Sequence, residues 1–101
     1  MKIRKIEKKM ADTETLCAQL KADLLYADST SYNGNEIRMR VKGELVTWEL
    51  KAKKLWRYSD FVWTGSSERI YSFKYQGVFG GYMAFEIVGK EGPLFDMIQV
   101  R

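Results

Sequence analysis

The chain has 101 residues, a net charge of +4 and an apolar share of 46%, which predicts a single soluble domain with a packed core. Histidine is absent and Cys17 is the only cysteine, which excludes an internal disulfide and the usual zinc sites, so we expect no metal and no cofactor. Without a signal-peptide pattern or an apolar run of membrane-spanning length, we expect a cytoplasmic, reducing location and no membrane.

The N-terminal quarter carries apolar residues at helical spacings of three and four, from Ile3 to Leu24. Two interpretations fit this pattern. One is a single long helix over residues 2–26, and the other is a helix over residues 13–27 that begins after an N-cap at Asp12. We prefer the shorter helix, which leaves residues 1–11 as a basic arm or a separate helical turn. Its buried ridge would consist of Leu16, Leu20 and Leu24.

From residue 36 onward the apolar period changes from 3.6 to 2, which is typical of strands. Residues 28–35 come before this change and are predicted to form a loop, with a turn at Asn33-Gly34. Two strands follow, over residues 37–42 and 46–53, and a tight turn at Gly43-Glu44 joins them.

The strongest strand pattern is a hairpin in residues 69–88, whose two arms alternate around a glycine-rich connection. We expect this hairpin to be the centre of the sheet. A short strand over residues 61–63 precedes it, and a strand over residues 95–100 follows it. Between residues 52 and 58, Lys53-Lys54 either turns the chain or continues a long, bent strand.

One helix followed by strands with short connections predicts an α+β fold in a single domain, residues 1–101. We expect the N-terminal helix to pack on a curved antiparallel sheet of five to seven strands. A small β-barrel with a helical lid is the alternative. The predicted core residues are Leu16, Leu20, Leu24, Trp48, Phe73 and Phe85.

The main functional signal is a basic block, with seven Lys or Arg and two Glu between residues 38 and 57. Strand alternation predicts several of these cations on one open sheet face, with Trp56, Tyr58 and Trp63 nearby. Cations for phosphates and aromatic rings for bases are the chemistry of single-stranded nucleic-acid binding. The alternative is that the cations only keep the face soluble. The candidate residues are Arg38, Arg40, Lys42, Lys51, Lys53, Lys54, Trp56 and Arg57.

The second functional signal is the hairpin connection, where Val78 and Phe79 lie between glycines. Either they form an exposed apolar tip that enters a partner's cleft, or they pack inward at a glycine bulge. The segment Gln76–Gly80 resembles the Q-x-V-x-G hairpin of the cystatins, which inhibit cysteine proteases. The helix-then-sheet order is similar too, but no glycine precedes the helix and extra strands precede the hairpin. We therefore assign no family.

The chain contains no phosphate-binding loop, dinucleotide fingerprint or nucleophile elbow, so we expect no enzymatic activity. We predict a non-catalytic interaction module that binds a macromolecule through the basic strand face and the hairpin. A protein partner, as for an inhibitor or accessory protein, ranks first. Nucleic acid, bound on the basic and aromatic sheet face, ranks second. The sequence leaves the oligomeric state open.

Overall fold

The computed structural model describes residues 6–79 and 82–99, together with the side chains of residues 6–74 and 86–93. These residues form one helix, α1 (Thr13–Tyr26), and nine strands. The strands are β1 (Glu7–Ala11), β2 (Ala27–Asn33), β3 (Glu36–Val41), β4 (Glu44–Lys51), β5 (Lys54–Ser59), β6 (Val62–Ser66), β7 (Ile70–Phe79), β8 (Tyr82–Gly89) and β9 (Gly92–Gln99).

The strands belong to two sheets. Six of them form an open sheet in the order β1-β6-β5-β4-β3-β2, and the other three form a sheet in the order β7-β8-β9. The combination of one helix with antiparallel sheet was predicted correctly. One sheet has six strands, within the predicted five to seven, but the prediction that the hairpin is its centre was wrong, because β7 and β8 belong to the other sheet. Strand β1 pairs in parallel with β6 and occupies the edge that β7 would need. The six-stranded sheet does not close into the alternative barrel.

Strand β1 replaces the predicted basic arm, of which residues 1–5 lie outside the described part of the chain. Its backbone is held at both ends, where the Glu7 amide donates to the Phe61 carbonyl and the Ser67 amide donates to the Ala11 carbonyl, both at 2.9 Å. The side chains of residues 7–10 are exposed. Backbone hydrogen bonds to β6 therefore stabilise this strand, and its side chains do not show the alternation of buried and exposed residues that would predict a strand.

Strand β2 replaces the predicted loop after the helix. It pairs with β3 from Ala27 to Asn33 and forms the other edge of the six-stranded sheet. Most of its side chains are polar and exposed, which is why composition alone indicated a loop. The turn at Asn33-Gly34 is confirmed, since β2 ends at Asn33 and Gly34 has a φ of +63°.

Strands β3 to β6 form a meander with two-residue turns. At each turn both residues have a positive φ, as in type I′ hairpins, whose twist matches that of the strands. Turns this short fix the pairing register and therefore decide which side chains share a face. The three turns are Lys42-Gly43, Ala52-Lys53 and Asp60-Phe61.

The core lies between α1, the inner face of the six-stranded sheet and the start of the three-stranded sheet. The ridge of Leu16, Leu20 and Leu24 is buried, as are Trp48 and Phe73, so these predictions are confirmed. The side chain of Phe85 lies outside the described residues. The cluster is completed by Ile37, Met39, Val46, Leu55, Ile70 and Ile87.

Helix α1 begins where it was predicted to begin, after Asp12. The carboxylate of Asp12 makes no capping hydrogen bond. Its backbone carbonyl instead accepts a hydrogen bond from the Leu16 amide at 3.0 Å, which closes the first turn. Three- and four-residue spacing then directs the leucine ridge of the helix onto the sheet.

Candidate nucleic-acid interface on the outer sheet face

The six-stranded sheet has an outer face, opposite α1, on which polar and aromatic side chains meet. Alternation along each strand sends every second residue to this face, and the register aligns those residues into rows across the sheet. One row runs from β2 to β1 as Ser31, Arg38, Thr47, Tyr58, Trp63 and Lys8. A neighbouring row contains Asn33, Glu36, Glu49, Trp56, Gly65 and Met10.

Four of the predicted cations lie on this outer face. Arg38 and Arg40 are exposed and alternate with buried neighbours on β3. Lys51 and Lys54 face each other across the hairpin of β4 and β5. A fifth cation, Lys8, joins them from β1, which was predicted to belong to the basic arm and not to the sheet.

Three other predicted cations do not belong to the outer face. Lys42 and Lys53 are turn residues with positive φ, so neither continues the alternation of its strand. The Lys42 ammonium lies 4.9 Å from the ring centre of Tyr26 at the end of α1. Arg57 projects to the inner face, because it is the register partner of buried Trp48.

Arg57 forms an ion pair with the buried carboxylate of Asp23 on α1. Its Nε donates to Asp23 Oδ2 at 2.7 Å and its Nη2 donates to Oδ1 at 3.3 Å. Asp23 also accepts hydrogen bonds from Trp48 Nε1 and Gln19 Nε2, both at 2.9 Å. A carboxylate that is 3% exposed is stable here because both of its oxygens are paired.

The network around Asp23 was absent from the sequence predictions, although a signal for it was present. Asp23 follows Leu20 by three residues and directly precedes Leu24, so it lies on the buried ridge of α1. A charged residue at such a position needs a buried partner. The sequence does not say which of the seven cations between residues 38 and 57 is that partner.

The aromatic side chains of the outer face form a cluster of Trp56, Tyr58 and Trp63. The rings of Trp56 and Trp63 are nearly perpendicular at 87°, with centres 6.5 Å apart. The rings of Tyr58 and Trp63 are tilted, with centres 4.8 Å apart. All three side chains are half-buried, so each keeps part of its surface available to a ligand.

Trp56 is positioned by its neighbours. A Cβ atom built at Gly65, its cross-strand partner, would lie 2.7 to 2.9 Å from three atoms of the indole, so the ring lies directly over the glycine. The indole Nε1 donates to the backbone carbonyl of Lys51 at 3.3 Å. Gly65 therefore holds the ring close to the sheet, as aromatic residues that cover strand glycines do.

A pocket of about 220 Å³ opens beside this cluster. The ammonium of Lys8 lies 5.9 Å from the ring centre of Trp56 at its wall. On the same face Arg38 forms an ion pair with Glu36, which is its neighbour along β3. The pocket is lined by Lys8, Glu49, Lys51, Ala52, Trp56 and Trp63.

The second predicted site falls in the three-stranded sheet. Val78 and Phe79 belong to β7 and pair with Met83 and Tyr82 of β8, so they do not lie in the connection between the strands, where we had expected them. An irregularity in pairing occurs between Tyr75 and Gly77, as in a bulge at the glycine. The side chains of Val78 and Phe79 lie outside the described residues.

Other site types find little support in the described residues. No group of three or more Cys, Asp or Glu side chains among them could hold a metal ion. Cys17 is half-buried, and burial together with the charge of Glu14 raises the pKa of its thiol to about 11. Such a thiol is a weak nucleophile at neutral pH, because the thiolate is the reactive form.

Within residues 6–79 and 82–99, no helix is long and apolar enough to cross a membrane. Comparisons with protein-family models, with curated proteins and with solved structures found no match for this chain.

Proposed function

We propose that this protein is a non-catalytic binding module that takes single-stranded nucleic acid on the outer face of its six-stranded sheet. The observation that carries the proposal is the position of three aromatic side chains among five cations on the outer face of the six-stranded sheet. These residues are Trp56, Tyr58 and Trp63 with Lys8, Arg38, Arg40, Lys51 and Lys54.

The charge of this face supports binding to a polyanion. On β1, β3, β4 and β5, the five outer cations outnumber the two outer carboxylates, Glu36 and Glu49. The Arg38 side chain is 66% exposed even though its guanidinium is paired with Glu36, so it keeps donors for a phosphate. Phosphate contacts of this kind supply affinity without sequence preference.

The aromatic cluster supports a single strand rather than a duplex. Unpaired bases present flat faces that stack on Trp and Tyr rings, whereas the bases of a duplex already stack on each other. Because Gly65 and the Lys51 carbonyl hold Trp56 in place, binding requires little ordering of this ring. Pre-positioned side chains lower the entropic cost of association.

Titration of fluorescent single-stranded and duplex oligonucleotides at several salt concentrations tests the proposal. We expect affinity for single strands to fall steeply with salt, because cations that contact phosphates release counterions. Charge reversal at Arg38, Arg40 and Lys51 should weaken binding to all sequences and reduce the salt slope. Reversal of three exposed cations elsewhere, Lys21 on α1, Arg69 just before β7 and Lys90 in the turn after β8, is the matched control.

The absence of binding to every oligonucleotide at low salt would remove the proposal. Equal losses from the outer-face variant and from its control would show that only net charge matters. In that case the outer face would not be the binding surface.

A protein partner is the second candidate, supported by the open edge of the six-stranded sheet. Among the described residues β2 pairs with β3 alone, so alternate residues along this seven-residue strand present backbone N–H and C=O groups on its unpaired side. Such an edge can accept a strand from another chain or from a second copy. A pull-down from native lysate with and without nuclease separates the candidates. A protein that is still captured after nuclease treatment favours the protein partner.

A further inference from the structure

The pocket beside Trp56 has a mixed chemical character that phosphate binding does not use. Its walls combine two indoles, two lysines and one carboxylate. The indoles of Trp56 and Trp63 stand at 87° to each other, so they form two adjoining walls. A volume of about 220 Å³ and these flat walls suit a planar aromatic ligand.

Glu49 is the one carboxylate among the residues that line the pocket. It is half-buried on β4, and no donor among residues 6–74 and 86–93 contacts its carboxylate. Its cross-strand neighbour Glu36 differs, because Glu36 already pairs with Arg38. An ionised carboxylate only accepts hydrogen bonds, so a ligand with N–H donors is complementary to Glu49.

A cationic ligand is disfavoured in this pocket. Perpendicular indoles and a carboxylate also occur in the aromatic cages that bind quaternary ammonium groups. Here the Lys8 ammonium already lies 5.9 Å from the Trp56 ring centre, and Lys51 lines the same pocket. Two like charges at the walls repel a further cation, which leaves a neutral planar ligand with both donors and acceptors.

We infer that this pocket binds a guanine base of the nucleic acid, with Glu49 as the residue that selects it. This inference rests on the proposed function. Guanine carries its N1–H and N2–H₂ donors side by side on the Watson–Crick edge, so one carboxylate accepts from both. Its O6 is an acceptor that suits the ammonium of Lys8 or Lys51.

The other bases match the pocket less well. Adenine and cytosine each place their single amino group beside an acceptor nitrogen, which a carboxylate repels. Uracil and thymine place one N–H between two carbonyl oxygens. Because a site built around a hydrogen bond rejects a ligand that lacks the matching group, Glu49 discriminates against all four of these bases.

The test compares the affinities of oligothymidylates that carry one central dG, inosine, dA or dC for the intact protein. Inosine differs from guanine only by the missing N2 amino group, so it is a matched control for that donor. We expect the dG oligonucleotide to bind about tenfold more tightly than the inosine, dA and dC oligonucleotides, which is the size of discrimination that a two-bond contact gives.

The variant Glu49→Gln keeps the shape of the side chain but replaces one acceptor oxygen with a donor. It should abolish the preference for dG while it retains binding to plain oligothymidylate. The control Glu36→Gln removes the same charge from the neighbouring position and should keep the preference.

The possible failures are distinguishable. Equal affinity of the intact protein for all four oligonucleotides would overturn the guanine pocket and leave the proposed function standing. A preference for dG that survives in Glu49→Gln would overturn the role of Glu49. No binding to any oligonucleotide at low salt would overturn both the pocket and the proposed function.

Discussion

The two faces of the six-stranded sheet use the same residue types in opposite ways. On the inner face Trp48 is fully buried, and its indole N–H is paired with Asp23. On the outer face Trp56 is half-buried, and its indole N–H is paired with a backbone carbonyl. Arg57 and Arg38 differ likewise, since Arg57 pairs with a buried carboxylate and Arg38 pairs with Glu36 at the surface.

The difference shows that residue type does not separate core from binding surface in this chain. Arg57 and Trp56 are adjacent in sequence but project to opposite faces of β5. A single step along a strand therefore decides whether a cation stabilises the fold or is available to a ligand. Three substitutions test this contrast.

The largest effect is expected from truncation of the inner tryptophan. Trp48→Ala removes a fully buried indole and one donor to Asp23, and should lower the free energy of unfolding by about 3–5 kcal/mol. Trp56→Ala is its matched control and should cost far less stability, while it weakens oligonucleotide binding by about 1–3 kcal/mol. Urea unfolding and oligonucleotide titration of both variants measure this. Similar stability losses would contradict the contrast between the faces.

A smaller effect is expected from the carboxylate that holds the inner network. Asp23→Asn keeps the shape of the side chain but removes the charge that balances Arg57, and should cost about 1.5–3 kcal/mol of unfolding free energy. The exposed Asp28 at the start of β2 provides the control, because Asp28→Asn removes the same charge from a solvated position. If the two variants unfold at the same urea concentration, the Asp23 network does not stabilise the fold.

The smallest effect on stability is expected at Gly65. In Gly65→Ala the new methyl group would collide with the Trp56 indole, and the ring should swing away at a cost of about 1 kcal/mol or less, since only a side chain must move. Oligonucleotide affinity should then fall toward that of Trp56→Ala, and the near-ultraviolet circular dichroism should change. Ser67→Ala, at an exposed position just past β6, is the control. Unchanged affinity in Gly65→Ala would show that Gly65 does not position the ring.

Local periodicity was sufficient to predict the elements that bury one face. The three- and four-residue spacing of Leu16, Leu20 and Leu24 predicted α1, and the alternation from Ile37 to Leu50 predicted β3 and β4. In each of these segments, the spacing of its own apolar residues defines the hydrophobic stripe. Because burial of that stripe drives both the local structure and its packing, the sequence by itself determined these elements and the inward position of Trp48.

The tertiary structure alone decided the features that depend on a partner distant in the chain. Strands β1 and β2 are polar, and they exist because the edges of the sheet offer backbone hydrogen bonds. The pairing of β1 with β6 also separates the two sheets. The addition of Lys8 to the outer face and the choice of Arg57 as partner of Asp23 follow from the register of the sheet. Backbone pairing leaves no periodic pattern in the side chains, so these features could not be predicted from the sequence and are seen only in the folded structure.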